Sequence, residues 1–242
     1  MLQAVMGPSD WSPLVQPVAG RDFVEAVRSG ARRGLRIAYC ADIAGIGVDS
    51  DIERVCRATA FSLKDAGADV EEIDLDLSSG RPAFLALRGL WFVSQMFPRL
   101  DKRDRFGPNV GNNVKSGLEV STNDLAAAEN FRGQLWRQFR EFFTRYDGLL
   151  TPCMAVPPFP VEQNYPDTIG GKPMTTYIDW IAPTFVLSLT GLPVASVPAG
   201  LDAGGLPVGL QILGKPFGEE SVLALAAEVQ RLRPIGLPSI PA

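Results

Sequence analysis

Apolar positions recur along the chain in alternating helical and strand periods. The first patch is short: Leu2, Val5 and Met6 share one face at helical spacing, Gly7 stands where helices end, and Pro8 forbids continuation. A helix below roughly 12 residues does not recover its nucleation cost unless it packs on something. The pattern therefore predicts either the last turn of a longer helix or a docked stub. Residues 9–20, SDWSPLVQPVAG, read as a connector. A short helix is predicted from Asp22 to Ser29, then a buried strand, LRIAYC, at 35–40.

Asp49, Ser50 and Asp51 offer caps for a helix running to about Lys64, with Ile52, Val55, Cys56 and Leu63 on one face. Ala66-Gly67 closes it, and ADVEEIDLDL follows as a second strand. Residues 35–77 thus form a βαβ unit with an expected right-handed crossover. Pro82 to Phe97 is helical by pattern, and 98–116 reads as a charged loop bearing Gly and Asn. Ser121 to Asp124 opens a long helix reaching about Tyr146, and DGLLTP is a short buried strand. A proline-rich surface loop and a helix over 175–189, kinked or restarted at Pro183, come next. Two strands, VASVPAG and PVGLQILG, and a helix from Glu219 to Leu232 complete the pattern. The fold class expected is α/β, a mixed β-sheet flanked by helices, in a single domain over 1–242 without internal repeats.

Composition narrows the function. With 46% hydrophobic residues in 242, the chain can bury a substantial core, and a net charge of −4 favours neither nucleic acid nor an anionic membrane. Three cysteines without a CxxC spacing point to a reducing, cytoplasmic compartment. No secretory signal is evident. The uncharged run from Trp180 to Leu201 is broken by Pro183, Pro193 and Pro198 and reads as a buried helix and strand rather than a membrane span. Histidine is absent, so Ser-His-Asp and Cys-His machinery are excluded within this chain, as is His-ligated zinc. Neither a metal nor a cofactor is expected.

Several motifs could carry chemistry. AGIGVDSD resembles a phosphate-binding turn, but Ser50 replaces the third glycine and Asp49 and Asp51 would repel a phosphate, so it reads as a loop and N-cap. Glu72, Asp74 and Asp76 alternate opposite Ile73, Leu75 and Leu77, which strand geometry explains as a solvated face. The run RLDKRDR at 99–105 reads as solvated too. Cys153 follows a buried strand, the place where open α/β sheets hold ligands. Tyr177, Trp180, Ile181, Thr184 and Phe185 would share one helical face if the helix survives Pro183, forming either core or the wall of a substrate channel.

SLTGLPVASVPAGLDAGGLPVGLQILGKPFGEE, residues 188–220, resembles the C-terminal block of the amidase signature family. YDGLLTPCMAVPP resembles the family's Leu-Leu-Thr-Pro segment, and LRIAYC with GADVEEIDL resembles its βαβ insertion. The resemblance divides the chain into a helix end and linker (1–20), the insertion (21–80) and a C-terminal amidase-like core (81–242) of an α/β/α fold. Such enzymes cleave amide C–N bonds, or transfer the released ammonia, with a Ser, cis-Ser, Lys triad. There lysine is the base and backbone N–H groups hold the oxyanion.

Those residues belong to the family's N-terminal half, which implies no catalytic residue in this chain. It also implies that the opening residues are the end of a helix in a longer amidase. Lys64, Lys102, Lys115, Lys172 and Lys215 all match non-catalytic segments, and Ser78-Ser79-Gly80 is a decoy without flanking glycine pairs. Ser188 departs from the asparagine many members carry. Substrate contact is expected from Thr151, Cys153, Tyr177, Trp180, Ile181 and Phe185. The expected partners are a small-molecule amide and either the missing N-terminal half or another copy, joined through exposed sheet edges. Nucleic acid and membrane are not expected. A non-catalytic ligand-binding module and an amidotransferase-type component remain the alternatives.

Overall fold

A computed structural model of the chain describes residues 1–7 and 20–236. Its strands are β1 (Arg36–Tyr39), β2 (Asp69–Glu72), β3 (Gly148–Pro152), β4 (Thr168–Ile169), β5 (Lys172–Pro173), β6 (Val194–Leu201) and β7 (Pro207–Gly214). Five of them form one sheet in the order β2-β1-β3-β7-β6, while β4 and β5 make a separate hairpin. β1 is parallel to β2 and β3, and β7 is antiparallel to β3 and β6, so the sheet is mixed.

The helices are α1 (Leu2–Val5), α2 (Phe23–Ser29), α3 (Ser50–Ser62), α4 (Arg81–Met96), α5 (Pro108–Leu118), α6 (Thr122–Arg145), α7 (Ala182–Ser188) and α8 (Glu219–Leu232). Strand alternation sends Ile37, Tyr39, Leu150, Leu210 and Ile212 into a core with α3 and α8. Ala38, Leu149 and Leu213 face a second core with Phe139 of α6 and Phe185 of α7. β3 is buried along its whole length because helices cover both of its faces.

Helix starts follow the expected capping chemistry. The Asp49 carboxylate accepts the N–H groups of Asp51 and Ile52 at α3, and Ser121 with Asp124 forms a capping box at α6. At the start of the chain α1 ends at Val5 and docks on α2, with Gln3 Oε1 accepting the Phe23 N–H at 2.7 Å. The connector expected over 9–20 lies outside the described residues except for Gly20.

Two expectations change. The stretch 98–116 is not a loop: a run of 3-10 turns over Phe97–Arg105 leads into α5, whose first turn begins at Pro108. Gly111, Asn112 and Asn113 are weak helix formers and hide this helix from sequence; packing of α5 on α4 supplies the stabilisation that propensity lacks. The second strand ends at Glu72 rather than Leu77. Burial still alternates through Leu77, and Ile73 and Leu77 donate to Tyr39 and Ile43, but regular pairing stops where β1 stops.

Candidate functional site

The segment carrying most of the predicted site residues is organised by Asp179, which is 8% exposed. Its Oδ1 accepts Nε and Nη2 of Arg81 at 3.0 and 2.7 Å. Its Oδ2 accepts the Thr175 hydroxyl at 3.0 Å and the backbone N–H groups of Thr175 and Thr176 at 3.3 and 3.0 Å. Burial alone would push this carboxyl group's pKa up, but hydrogen bonds from Arg81 and the Thr175–Thr176 turn outweigh burial and hold it below the usual range.

That fold-back stops the helix expected over 175–189 from forming at its start. A 3-10 turn covers Asp179–Ile181, and α7 begins at Ala182, with Pro183 in the first turn where its missing N–H costs nothing. The five-residue stripe is therefore divided instead of lying on one face.

Tyr177 enters a cavity of about 670 Å³ between α4, α5 and the loop 164–178. Trp180 lines a second cavity of about 400 Å³ together with Cys153, Ile52 and Gly209, its indole meeting Phe159 edge-to-face at 5.1 Å. Cys153 is half-buried, its Sγ accepts the Ser196 hydroxyl at 3.4 Å, and its N–H donates to Gly209 O. Phe185 stacks on Phe84 at 4.2 Å and lines a third cavity of about 240 Å³. Ile181 packs against the Phe139 core. Thr151 lies in β3 opposite Gln211, fully buried, and its Oγ1 has no hydrogen-bond partner among the described residues. Of the predicted residues the structure thus brings only Cys153 and Trp180 to one cavity.

The motifs set aside on sequence have structural accounts. In AGIGVDSD the Asp42 carboxylate takes the N–H groups of Ile46 and Gly47 at 3.1 and 2.8 Å, donors that a phosphate would need. Gly47 has φ +87°, and a Cβ there would meet Ile169 O at 2.8 Å, so glycine serves the close approach of the β4–β5 hairpin. Glu72 pairs with Arg57, while Asp76 binds Ser78.

Ser78 and Lys172 line the same third cavity, yet each is committed elsewhere. The Lys172 ammonium donates to Gly45 O at 2.7 Å and the Ser78 hydroxyl to Asp76 Oδ2 at 3.0 Å. Among the described residues no lysine hydrogen-bonds a serine hydroxyl, and no group of three or more Cys, Asp or Glu is placed to hold a metal ion. Nor is any described helix long and apolar enough to cross a membrane.

Sequence reasoning missed Arg88 and Asn113, which meet Tyr177 in the first cavity. A signal was present: Arg81 and Arg88 are the only charged residues in α4, seven positions apart and so on one face of a helix whose other polar side chains, Ser94 and Gln95, lie in its last turn.

Comparison with known proteins agrees with this architecture. The family model described as Amidase matches residues 1–223. An acylamidase of Rhodococcus erythropolis is 30% identical over 97% of this chain and 50% of its own length. A glutamyl-tRNA(Gln) amidotransferase component from Rhodospirillum rubrum is 30% identical over 96% of this chain and 50% of its own. The chain spans about half the length of the curated relatives it matches. Among solved structures, a bacterial aryl acylamidase of the amidase signature enzymes superposes with a TM-score of 0.83 at 24% identity, over 95% of this chain and 49% of that one. A 6-aminohexanoate cyclic dimer hydrolase superposes at 0.78 with 18% identity, over 95% and 51%. The match of that family model over residues 1–223 shows that the chain belongs to the amidase family.

Proposed function

We propose that this chain is the C-terminal portion of an enzyme that hydrolyses amide C–N bonds, that it supplies walls of the substrate pocket and part of the sheet, and that by itself it does not turn over amides. The observation that carries the reading is the state of β6 beside the cavity of Cys153 and Trp180. β6 is the edge of the sheet, Val194, Ser196, Pro198 and Leu201 are exposed along it, and Ser196 reaches Cys153 directly. The first half of this edge, next to an apolar cavity, is a template for another strand; further along, Pro198 has no N–H, a bulge shifts the register between Pro198 and Gly200, and the Thr59 hydroxyl already donates to Ala199 O. The family match supports a catalytic half as the occupant, with self-association of this chain as the other outcome. Cys153 and Trp180 then face the small-molecule amide, and the Ser and Lys machinery comes from outside these 242 residues.

The test is to assay the purified chain on simple anilides and aliphatic amides, alone and mixed with an amidase N-terminal half bearing the Ser, cis-Ser and Lys residues. Background rates alone and turnover after mixing are expected, because removing nucleophile and base together leaves little catalysis. Family-like turnover by the chain alone would overturn the reading. Relatives that carry the name of a glutamyl-tRNA(Gln) amidotransferase favour a second reading, in which the released ammonia is transferred rather than lost. Ammonia release measured in the mixture, with and without an acceptor, separates the two.

A further inference from the structure

The cavity of about 670 Å³ at Tyr177 is walled by α4, α5 and the loop 164–178 and is lined by Arg88, Asn109, Asn113 and Tyr177 among others. Arg88 is fixed there from three sides. Its guanidinium lies over the ring of Phe92 at 4.7 Å and near that of Phe84 at 5.8 Å, the residues one turn after and one turn before it on α4. Its Nε donates to Asn113 Oδ1 at 3.2 Å and its Nη2 to Tyr177 Oη at 2.9 Å. Among the described residues it has no carboxylate partner, unlike Arg81 on the same wall, which Asp179 neutralises.

The hydrogen-bond inventory sets the chemistry of what fits. A guanidinium has five N–H donors and no acceptor. Two donors of Arg88 are engaged by the neutral oxygens of Asn113 and Tyr177, which leaves three N–H donors, both of Nη1 and one of Nη2, without a partner among the described residues. Asn113 Nδ2 donates to Asn109 O and also to Tyr177 Oη, so the phenol oxygen already accepts two hydrogen bonds. Its own proton is then the group it has left to give. Arg88 and Tyr177 together therefore present donors with no acceptor between them, one of them charged. Asp124, the carboxylate on this wall, is turned to the backbone N–H and hydroxyl of Ser121. Pro82, Leu85 and Ile178 supply apolar surface beside the donors.

We propose that this cavity binds a small carboxylate, with the two carboxylate oxygens received by the free edge of Arg88 and the hydroxyl of Tyr177 and the hydrocarbon part resting on Pro82, Leu85 and Ile178. No covalent step is involved, and the inference does not depend on the amide chemistry proposed above. Because stacking and the Asn113 bond hold the guanidinium in place, binding loses little side-chain freedom.

The test titrates the full chain with phenylacetate, its neutral isostere 2-phenylacetamide and the cation phenethylamine, followed by calorimetry and by backbone amide shifts of residues 109–113 and 175–178. Phenylacetate is expected to bind at least about tenfold more tightly than either analogue, the usual advantage of a charge-assisted, bidentate contact. Arg88→Gln is expected to remove that preference by weakening phenylacetate far more than 2-phenylacetamide. Tyr177→Phe, which keeps the ring, is expected to weaken phenylacetate by about three- to tenfold, and it carries the test should Arg88→Gln fail to fold. Equal affinity for phenylacetate and 2-phenylacetamide, tighter binding of the amine, or a carboxylate preference untouched by both variants would each overturn the proposal.

Discussion

Arg81 and Asp179, 98 positions apart in sequence, meet through two N–H···O bonds at 3.0 and 2.7 Å. The same carboxylate holds the Thr175–Thr176 turn, so one ion pair joins the start of α4 to the segment that places Tyr177 and Trp180. Removing the arginine leaves a carboxylate with 11% of its side chain exposed and without its charge partner. Breaking a buried pair costs about 3–5 kcal/mol, and the 41% exposure of the Arg81 side chain lowers that. Arg81→Met is expected to destabilise the chain by about 2 kcal/mol in urea unfolding. Both flanking cavities should lose definition, seen as broadened amide signals over 175–182.

The same group sets part of the acid limit of the fold. Burial tends to raise the Asp179 carboxyl pKa, but Arg81 and the turn N–H groups bring it below the ordinary value. At Asp147 burial is likewise outweighed, by the Arg36 N–H, Lys215 and Arg32. A carboxyl depressed in the folded state contributes stability that is fully present above its unfolded value of about 3.9 and is lost as pH falls through the lower folded value. The urea midpoint is expected to be flat from pH 7 to about 5 for these groups and to fall in the acid range below. Asp179→Asn should flatten part of that acid limb, and an unchanged limb would remove Asp179 from the account.

Helices α4 and α5 cross at two glycines, where a Cβ on Gly89 would lie 2.9 Å from Gly117 Cα and one on Gly117 would strike the Gly89 carbonyl. Glycine to alanine inside an exposed helix ordinarily gains about 1 kcal/mol. Here the sign reverses, since backbone cannot give way as a side-chain tip can. Gly117→Ala is expected to cost about 2–3 kcal/mol, the range of overpacked cores, and to push α5 off the cavity that Arg88 and Tyr177 line. Thermal unfolding checks the first effect and the phenylacetate titration the second.

That crossing also shows where the sequence stops being informative. Asp49 and Ser121 announce α3 and α6 because a cap acts within a few residues, and the β6–β7 hairpin is legible because its alternation and turn are contiguous. α5 is not legible, because the reason a helix rich in Asn and Gly persists lies in Gly89, 28 residues upstream. The late start of the helix expected over 175–189 is hidden for the same reason, since Asp179 is steered by an arginine from another helix. Of the site, Cys153 and Trp180 could be nominated singly, but their shared cavity depends on the proline-rich loop folding Phe159 against the indole.

Thr151 offers the sharpest separation between a residue that reads as functional and one that sits as core. It is 1% exposed, faces Gln211 across the β3–β7 ladder, and its hydroxyl has no partner among the described residues, whereas Gln211 is satisfied by the carbonyls of Pro152 and Pro183. A buried hydroxyl without a partner carries a desolvation cost of about 1–3 kcal/mol. Valine keeps the β-branched shape and suits a strand, so Thr151→Val is expected to stabilise the chain alone by about 1 kcal/mol in urea unfolding. In the mixture with a catalytic half the variant discriminates further. If that half supplies an acceptor to the hydroxyl, or substrate reaches it, valine should slow turnover despite the added stability. Unchanged turnover would assign Thr151 to the core and leave Cys153 and Trp180 as the contacts from this region.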